Sequence, residues 1–334
     1  MKTKKTISAL MIAGLLTATP ALAEEKPVLT VYTYDSFASE WGPGPAVEKG
    51  FEASCGCDLK YVTAGDGAAL LSRVMMEGTH GKADVVLGLD MNLMAQARNS
   101  GLFAEHPKIG ADYTLPIAWE DPVFVPFDWG YFAFVYDKTK VKDVPTDFKA
   151  LAASPLKIII EDPRSSTPGL GLLMWVKSAY RDGAAQVWKD LADNIVTVTP
   201  GWSEAYGLFL KGESDMVLSY TTSPAYHLIA EQDDSKAAAP FTEGHYLQVE
   251  VAAKTAGTQQ SDLADSFLTY LTSSDVQAVI PETNWMYPAI TPAAGLPAGF
   301  ETLITPDKAL VFPPAEAKKV RDEALSEWLS ALGR

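Results

Sequence analysis

Apolar and polar positions alternate with two different periods along this chain, and the pattern predicts strands and helices in turn. In the first hundred residues, short apolar runs predict strands at residues 28–33, 59–62 and 84–88. Amphipathic stretches between and after them predict helices at residues 45–51, 68–76 and 91–100. This strand–helix order predicts a mainly parallel sheet with right-handed crossovers.

The pattern changes at residues 123–136, a long aromatic segment that we predict to be strand-like but broken by Pro126 and Gly130. The alternation then resumes, with strands predicted at residues 158–160, 215–220 and 246–252. The helices predicted in this part include residues 169–180, 184–192, 206–211, 261–271 and 315–332. The chain therefore contains a second α/β unit.

The two units are predicted to be joined near residues 123–130 and again near 237–246. Two lobes with more than one crossing are typical of a hinged cleft, so we predict an α/β fold of two lobes with a hinged interlobe cleft. The predicted limits are 24–122 for the first part of lobe 1, 123–242 for lobe 2, and 243–334 for the return to lobe 1 with the C-terminal helices.

The first 23 residues have the features of a secretory signal peptide. Lys2, Lys4 and Lys5 form a basic start, residues 7–16 an apolar run, and residues 21–23, Ala-Leu-Ala, a small-residue cleavage site. The apolar run is too short to span a bilayer, although an uncleaved N-terminal anchor is the alternative. We predict cleavage after Ala23 and a mature protein that works outside the cytoplasm.

The charge of the chain limits its partners. The net charge is −15, and it becomes −18 without the first 23 residues, which contain three lysines and no acidic residue. Such a surface repels nucleic acid and anionic lipid, and it attracts cationic ligands. We therefore expect no nucleic-acid partner.

The two cysteines, Cys55 and Cys57, leave three alternatives open: a small local disulfide, a reduced pair or a metal-binding pair. A metal site needs more ligands, and the four histidines are scattered without ligand spacing. We predict no metal site.

Candidate binding residues lie in polar, aromatic-containing segments at predicted strand ends, where ligands of open α/β sheets bind. Trp41, Trp202 and Trp285 stand next to glycine or asparagine rather than in helical stripes, so their faces could bind an organic cation, or they could simply close the lobe interface. Ser166 and Thr167 precede Pro168 at a helix start, which predicts either an anion site or an ordinary N-cap. No motif of a nucleophilic or metal-dependent enzyme is present, so we predict no catalytic residue.

Long strings in these segments resemble the thiamine-binding proteins of bacterial ABC importers, a branch of the type-II periplasmic binding proteins. The resemblance covers essentially the whole mature chain. Its most specific strings lie at residues 33–37, 41–45, 166–172, 201–215, 218–227 and 284–288, and the Cys-x-Cys pair also fits.

The resemblance implies a periplasmic subunit that binds thiamine, thiamine phosphate and thiamine diphosphate and delivers them to an inner-membrane ABC permease. It implies a monomer without a cofactor. Aromatic residues would contact the two rings and small hydroxyl residues the phosphate end; the carboxylate candidates are Asp66 and Asp215. The ligand-binding residues that the resemblance implies are Tyr34, Trp41, Asp66, Gly67, Ser166, Thr167, Trp202, Tyr220, Thr221, Thr222, Ser223, Tyr226 and Trp285.

Two alternatives share this fold. Thiamine-degrading enzymes resemble these proteins but use a cysteine nucleophile, and here the only candidates are Cys55 and Cys57. Ferric-ion binders typically use adjacent tyrosines, and the chain has no Tyr-Tyr pair. An unidentified small-solute binder is the remaining alternative.

Overall fold

The computed structural model describes residues 26–333, so the predicted signal peptide lies outside the described residues. The strands are β1 Val28–Thr33, β2 Asp58–Thr63, β3 Val85–Asp90, β4 Val125–Asp137, β5 Ile158–Glu161, β6 Ile195–Thr199, β7 Met216–Tyr220, β8 Lys236–Ala238, β9 His245–Lys254, β10 Tyr287–Pro288 and β11 Ala309–Leu310. The helices are α1 Asp35–Ala38, α2 Gly44–Cys55, α3 Gly67–Glu77, α4 Met94–Asn99, α5 Phe148–Ala153, α6 Thr167–Tyr180, α7 Ala184–Leu191, α8 Trp202–Leu210, α9 Pro224–Tyr226, α10 Ser261–Leu271, α11 Ser274–Thr283 and α12 Pro314–Leu332. A π-helical turn, His227–Glu231, continues α9.

The strands form one sheet in which two groups of parallel strands are joined by two long antiparallel ones. The main path is β2-β1-β3-β9-β4-β7-β5-β6. Strands β1, β2 and β3 are parallel and define the first lobe, whereas β5, β6 and β7 are parallel and define the second lobe. Because parallel strands end at one edge of a sheet, the loops that follow them meet there.

Strand β4 connects the two lobes because it changes its partner along its length. Its first half pairs with β9, and its second half, from Phe132 onward, pairs with β7. The predicted break at Pro126 and Gly130 is wrong, because β4 is continuous and has only a register shift between Pro126 and Asp128. At Gly130 a Cβ atom would lie 2.8 Å from the Cε atom of Met286, so the glycine allows a close approach.

The C-terminal helix α12 packs against α6 and α7 of the second lobe and against α4 of the first. Ala324 and Trp328 of this helix are buried. The prediction assigned this segment to lobe 1, yet its helix contacts both lobes; the predicted domain limits themselves stay predictions. None of the helices between residues 26 and 333 is long and apolar enough to cross a membrane.

Cys55 and Cys57 form a disulfide at the end of α2, so the local disulfide is the alternative that the structure contains. The αL conformation of Gly56, with φ of 64°, lets the chain turn between them. Cys57 is buried in the core of the first lobe with Phe51 and Leu59. Neither cysteine lines the cavity described below.

Candidate functional site

A cavity of about 550 Å³ lies between the lobes, at the carboxyl ends of their parallel strands. Its size is typical of sites for small organic molecules. The residues that line it are Tyr34, Ser36, Trp41, Asp66, Thr167, Pro168, Trp202, Ser203, Tyr206, Gly207, Leu210, Tyr220, Ser223, Tyr226, Glu250, Glu282, Asn284, Trp285 and Met286.

The structure brings most of the predicted binding residues to this cavity. Those that line it are Tyr34, Trp41, Asp66, Thr167, Trp202, Tyr220, Ser223, Tyr226 and Trp285. Four others are buried beside those residues and do not line it, namely Gly67, Ser166, Thr221 and Thr222. Asp215, the other carboxylate candidate, lies elsewhere and accepts a hydrogen bond from the backbone N–H of Lys157 at 2.7 Å. Which of these residues contact a ligand stays a prediction.

The start of helix α6 contributes to the cavity wall, and its two hydroxyl residues also have structural partners. Ser166 is the N-cap, and its Oγ accepts a hydrogen bond from the N–H of Gly169 at 3.4 Å. The Oγ1 atom of Thr167 accepts one from the N–H of Gly67 at 3.0 Å. Ser166 therefore acts as a helix N-cap, which is one of the two roles that the sequence left open for this position. Thr167 and Pro168 still line the cavity, so the positive end of the helix dipole lies beside it.

Asp66 is a buried carboxylate that links the two lobes at the cavity wall. It precedes α3 in the first lobe, and its Oδ2 atom accepts a hydrogen bond from the backbone N–H of Trp202 in the second lobe at 3.0 Å. Burial raises its pKa to about 6, while hydrogen bonds from Ser166 and Trp202 act in the opposite direction. Nearby, Glu161 at the end of β5 is buried, and burial together with the charge of Asp66 raises its pKa well above the usual value.

Stacked aromatic rings form one wall of the cavity. The ring of Trp202 stacks on Tyr206 with centroids 5.2 Å apart, and Trp41 lies 6.4 Å from Trp202. The Nε1–H of Trp202 donates to Ser219 at 2.8 Å, which fixes the orientation of the indole. Trp41 is 53% exposed and therefore lies at the rim. Aromatic faces arranged in this way attract cations, by about 0.5–2 kcal/mol each.

Trp285 enters the cavity from a strained stretch of backbone. Its φ of 56° places a bulky non-glycine residue in the left-handed region of backbone conformation. Such a conformation costs on the order of 1–3 kcal/mol, and residues that adopt it cluster at functional sites. The ring contacts Tyr226 edge-on, with centroids 5.4 Å apart. The backbone conformation therefore presents the indole to the cavity beside a second aromatic residue.

The inner end of the cavity is a network of hydrogen-bonded acidic and amide groups, which we call the acidic floor. Glu250 accepts hydrogen bonds from Tyr34 Oη at 2.8 Å and from Gln248 Nε2 at 2.7 Å. Asn284 donates through Nδ2 to the oxygen of Tyr34 at 2.9 Å and to Asp128 at 2.5 Å. Glu250 and Asp128 are both buried, at 6% and 0% exposure. Two carboxyl groups are thus held close together at the inner end of the site.

The electrostatic character of the cavity comes from acidic side chains that no basic side chain in the described lining balances. Asp66, Glu250 and Glu282 line it, and none of the described residues lining it is a lysine or arginine. Burial and the nearby charge of Asp128 raise the pKa of Glu250 well above its usual value. The described lining therefore suits a cation better than an anion.

The sequence-based prediction missed the acidic floor and the stacking partner of Trp202. Glu250, Asn284 and Tyr206 line the cavity but were not predicted as binding residues. A signal for Glu250 existed, because Gln248 and Glu250 are buried polar residues in a strand whose other side chains are mostly apolar. Buried acidic residues are rare unless they have a partner or a function.

One group of possible metal ligands occurs among the described residues, behind the aromatic wall. Ligand atoms of His227, Glu231 and Asp233 lie within 4.8 Å of one another. The ring of His227 already has two partners, since Nδ1 lies 2.6 Å from Glu231 and Nε2 lies 2.9 Å from the hydroxyl of Tyr206. These contacts connect the group to Tyr206 and through it to Trp202.

Comparison with known proteins places this site in a family context. The model of the family described as "Bacterial extracellular solute-binding protein" matches residues 38–278. The chain is 56% identical to the thiamine-binding periplasmic protein of Escherichia coli over 322 residues, which cover 96% of this chain and 97% of the relative. It is 44% identical to the protein of the same name from Haemophilus influenzae, over 86% of this chain and 87% of the relative.

Solved structures show the same fold. A periplasmic thiamin binding protein has a TM-score of 0.89 and 56% identity, and the alignment covers 92% of this chain and 97% of that one. The ferric ion-binding protein A of Pasteurella haemolytica has a TM-score of 0.74 at 16% identity, over 91% of this chain and 97% of that one, which shows the fold alone. The predicted two-lobed type-II periplasmic binding protein fold is confirmed.

Proposed function

Because this chain belongs to the bacterial extracellular solute-binding proteins, and among them to the thiamine-binding periplasmic proteins, we propose that it binds thiamine in its interlobe cavity. It is a periplasmic binding protein rather than an enzyme, and it serves as the substrate-binding subunit of an ABC importer. Its membrane partner is the permease of that importer.

The observation that carries the proposal for thiamine is the composition of the cavity wall. The cavity combines aromatic rings with three acidic residues, and its described lining contains no lysine or arginine. Thiamine is a flat molecule with a permanent thiazolium charge, so aromatic faces and carboxylates both favour it. A volume of about 550 Å³ is sufficient for a ligand of this size.

The phosphate esters of thiamine are proposed as further ligands of the same cavity. Their phosphate groups would lie at the start of α6, where Thr167 and Pro168 line the wall and backbone N–H groups favour an anion. Since the described lining offers no basic side chain, we expect the mono- and diphosphate to bind no more tightly than thiamine. We also propose that the protein acts as a monomer and needs no resident cofactor.

The proposal is tested by titrating the mature protein with thiamine, after unfolding and refolding to remove any bound ligand. Trp41, Trp202 and Trp285 line the cavity, so ligand entry should change the tryptophan fluorescence. Saturable quenching with a dissociation constant of nanomolar order, roughly −12 kcal/mol, supports the proposal. The absence of any response in a refolded protein with native circular dichroism would exclude thiamine as its ligand.

Parallel titrations with the mono- and diphosphate test the proposal for the esters. Light scattering during size-exclusion chromatography measures the molar mass in solution and so tests whether the protein is a monomer. Tight thiamine binding by the refolded, ligand-free protein, measured without added metal or cofactor, would support the proposal that no cofactor is needed.

A further inference from the structure

We propose that Glu250 selects the ligand by accepting a hydrogen bond from the exocyclic amino group of its aminopyrimidine ring. This inference rests on the proposed function, because it assigns one end of thiamine to one end of the cavity. It makes the acidic floor the recognition point for the pyrimidine, and it leaves the aromatic wall to the rest of the ligand.

The first argument is the position of the carboxyl group. Glu250 lines the cavity although it is only 6% exposed, and its two oxygens accept one hydrogen bond each, from Tyr34 and from Gln248. A carboxylate oxygen can accept two hydrogen bonds, so each oxygen keeps an acceptor position. Tyr34 and Gln248 thus hold the carboxyl group of Glu250 in one orientation and leave it able to accept further hydrogen bonds.

The second argument is the charge around this group. The acidic residues that act on Glu250 are Asp128, Asp90 and Asp66. None of the described cavity-lining residues carries a positive charge that could compensate them. A buried acceptor in such surroundings is stabilised by a donor on the ligand, because an unsatisfied buried polar group is costly.

The third argument is the chemistry of thiamine. Its exocyclic amino group is the N–H donor of the molecule, whereas the thiazolium ring carries charge but no N–H. A carboxyl group can therefore bind the pyrimidine end by a directed hydrogen bond. An analogue in which a carbonyl oxygen replaces the amino group would place two acceptors against each other, and sites built for a donor discriminate strongly against such replacements.

Asn284 acts as a positioning residue for this recognition. Its Nδ2 bridges the oxygen of Tyr34 and a carboxylate oxygen of Asp128, so it keeps the hydroxyl of Tyr34 directed at Glu250. Tyr34, which follows β1, thus holds Glu250 directly, and Asn284 acts on Glu250 through Tyr34.

The experiment compares thiamine with its 4-oxo analogue in the wild type and in two variants. Glu250→Gln removes the charge and introduces an N–H donor at the floor. Glu204→Gln is the matched control, because Glu204 on α8 is exposed and does not line the cavity. Affinities are measured by calorimetry, and folding of each variant is checked by its thermal unfolding.

We expect the wild type to prefer thiamine over the oxo analogue by at least about tenfold. Glu250→Gln should bind thiamine about 10- to 100-fold more weakly and lose most of this preference. Glu204→Gln should keep it. A Glu250→Gln variant that folds and retains the wild-type preference would overturn the proposal.

The comparison in the wild type tests the proposal even if Glu250→Gln does not fold. Equal affinity of the wild type for both ligands would overturn the role of Glu250 and leave the proposed function intact. Failure of the wild type to bind thiamine at all would overturn both.

Discussion

The carboxylate of Asp66 accepts a hydrogen bond from the backbone N–H of Trp202 at 3.0 Å, and this contact joins residues 136 positions apart in the chain. Asp66 stands at the start of α3 and Trp202 at the start of α8. Close by, the N–H of Gly67 donates to Thr167 at 3.0 Å. The amino ends of helices from both lobes therefore meet at one wall of the cavity, and a single residue change there can act on lobe closure.

We predict that Asp66→Ala weakens thiamine binding by about 10- to 100-fold, because the variant loses a charge-assisted hydrogen bond that joins the lobes. Calorimetry measures the affinity, and small-angle scattering of the ligand-bound protein measures the separation of the lobes. Asp66→Asn is the matched control, since its amide oxygen can still accept from Trp202. Equal affinity of Asp66→Ala and the wild type would contradict this role.

Trp202 is predicted to be the most important ring of the aromatic wall. Trp202→Ala removes the face that stacks on Tyr206, so thiamine affinity should fall at least about tenfold. Trp202→Phe keeps a ring but loses the hydrogen bond to Ser219, and a smaller loss is expected. Fluorescence of the remaining tryptophans reports binding in both variants. If the alanine variant bound as tightly as the phenylalanine variant, the stacking role would be wrong.

The strand and helix positions were largely predictable, because most elements bury one regular face. Strand β3 follows a continuous apolar run, as expected for a buried parallel strand. Strand β6 and helix α11 were not predicted from the sequence, and each omission has a physical reason. Strand β6, Ile195–Thr199, lies at the end of the sheet order and is only partly buried, so it lacks an apolar run. Helix α11, Ser274–Thr283, contains Pro281, which hides its helical period.

The site was predictable where it consists of loops that follow strands. Trp202 and Tyr220 stand beside loops with distinctive amino-acid sequences, and the geometry of parallel sheets brings such loops together at one edge. Glu250 was not predictable in this way, because it lies inside β9, whose position is set by long-range pairing with β3 and β4. Its contact with Tyr34 joins residues 216 positions apart, which no local pattern encodes.

The disulfide between Cys55 and Cys57 should contribute to stability and not to binding. It closes a very short loop, for which the chain-entropy relation gives about 1–2 kcal/mol, and neither cysteine lines the cavity. We predict that replacing both cysteines by serine lowers the free energy of unfolding by this amount. Thiamine affinity should stay within about twofold. A variant with unchanged stability but weakened binding would reverse this assignment.

Glu243 gives a prediction for the dependence of stability on pH. It accepts hydrogen bonds from Tyr180 and from the N–H of Phe148, and burial raises its pKa to about 7 from 4.5. Because the folded-state pKa is the higher one, the stabilisation is complete below about pH 4.5 and is lost as the pH rises through 7.

Urea unfolding from pH 4.5 to 8 measures this loss. Glu243 is only partly buried, so we expect its contribution to be about 1–2 kcal/mol. Glu243→Gln keeps the acceptor for both donors but does not titrate, so its stability should fall less steeply with pH. Parallel pH profiles for the variant and the wild type would show that Glu243 is not responsible.

The acidic floor predicts that thiamine uptake releases protons. Burial raises the pKa of Asp128 to about 8, and burial with Asp128, Asp90 and Asp66 nearby raises the pKa of Glu250, so the empty floor retains a proton at pH 7. A bound cation favours the ionised carboxylates, hence affinity should rise from pH 5 to 8 and about one proton should be released. Calorimetry in phosphate and in Tris at one pH measures the release, because the buffers differ in ionisation enthalpy. Glu250→Gln should reduce the difference, whereas Glu204→Gln, at an exposed position outside the cavity lining, should not. Equal heats in both buffers, together with an affinity independent of pH, would mean that the floor is already ionised before the ligand arrives.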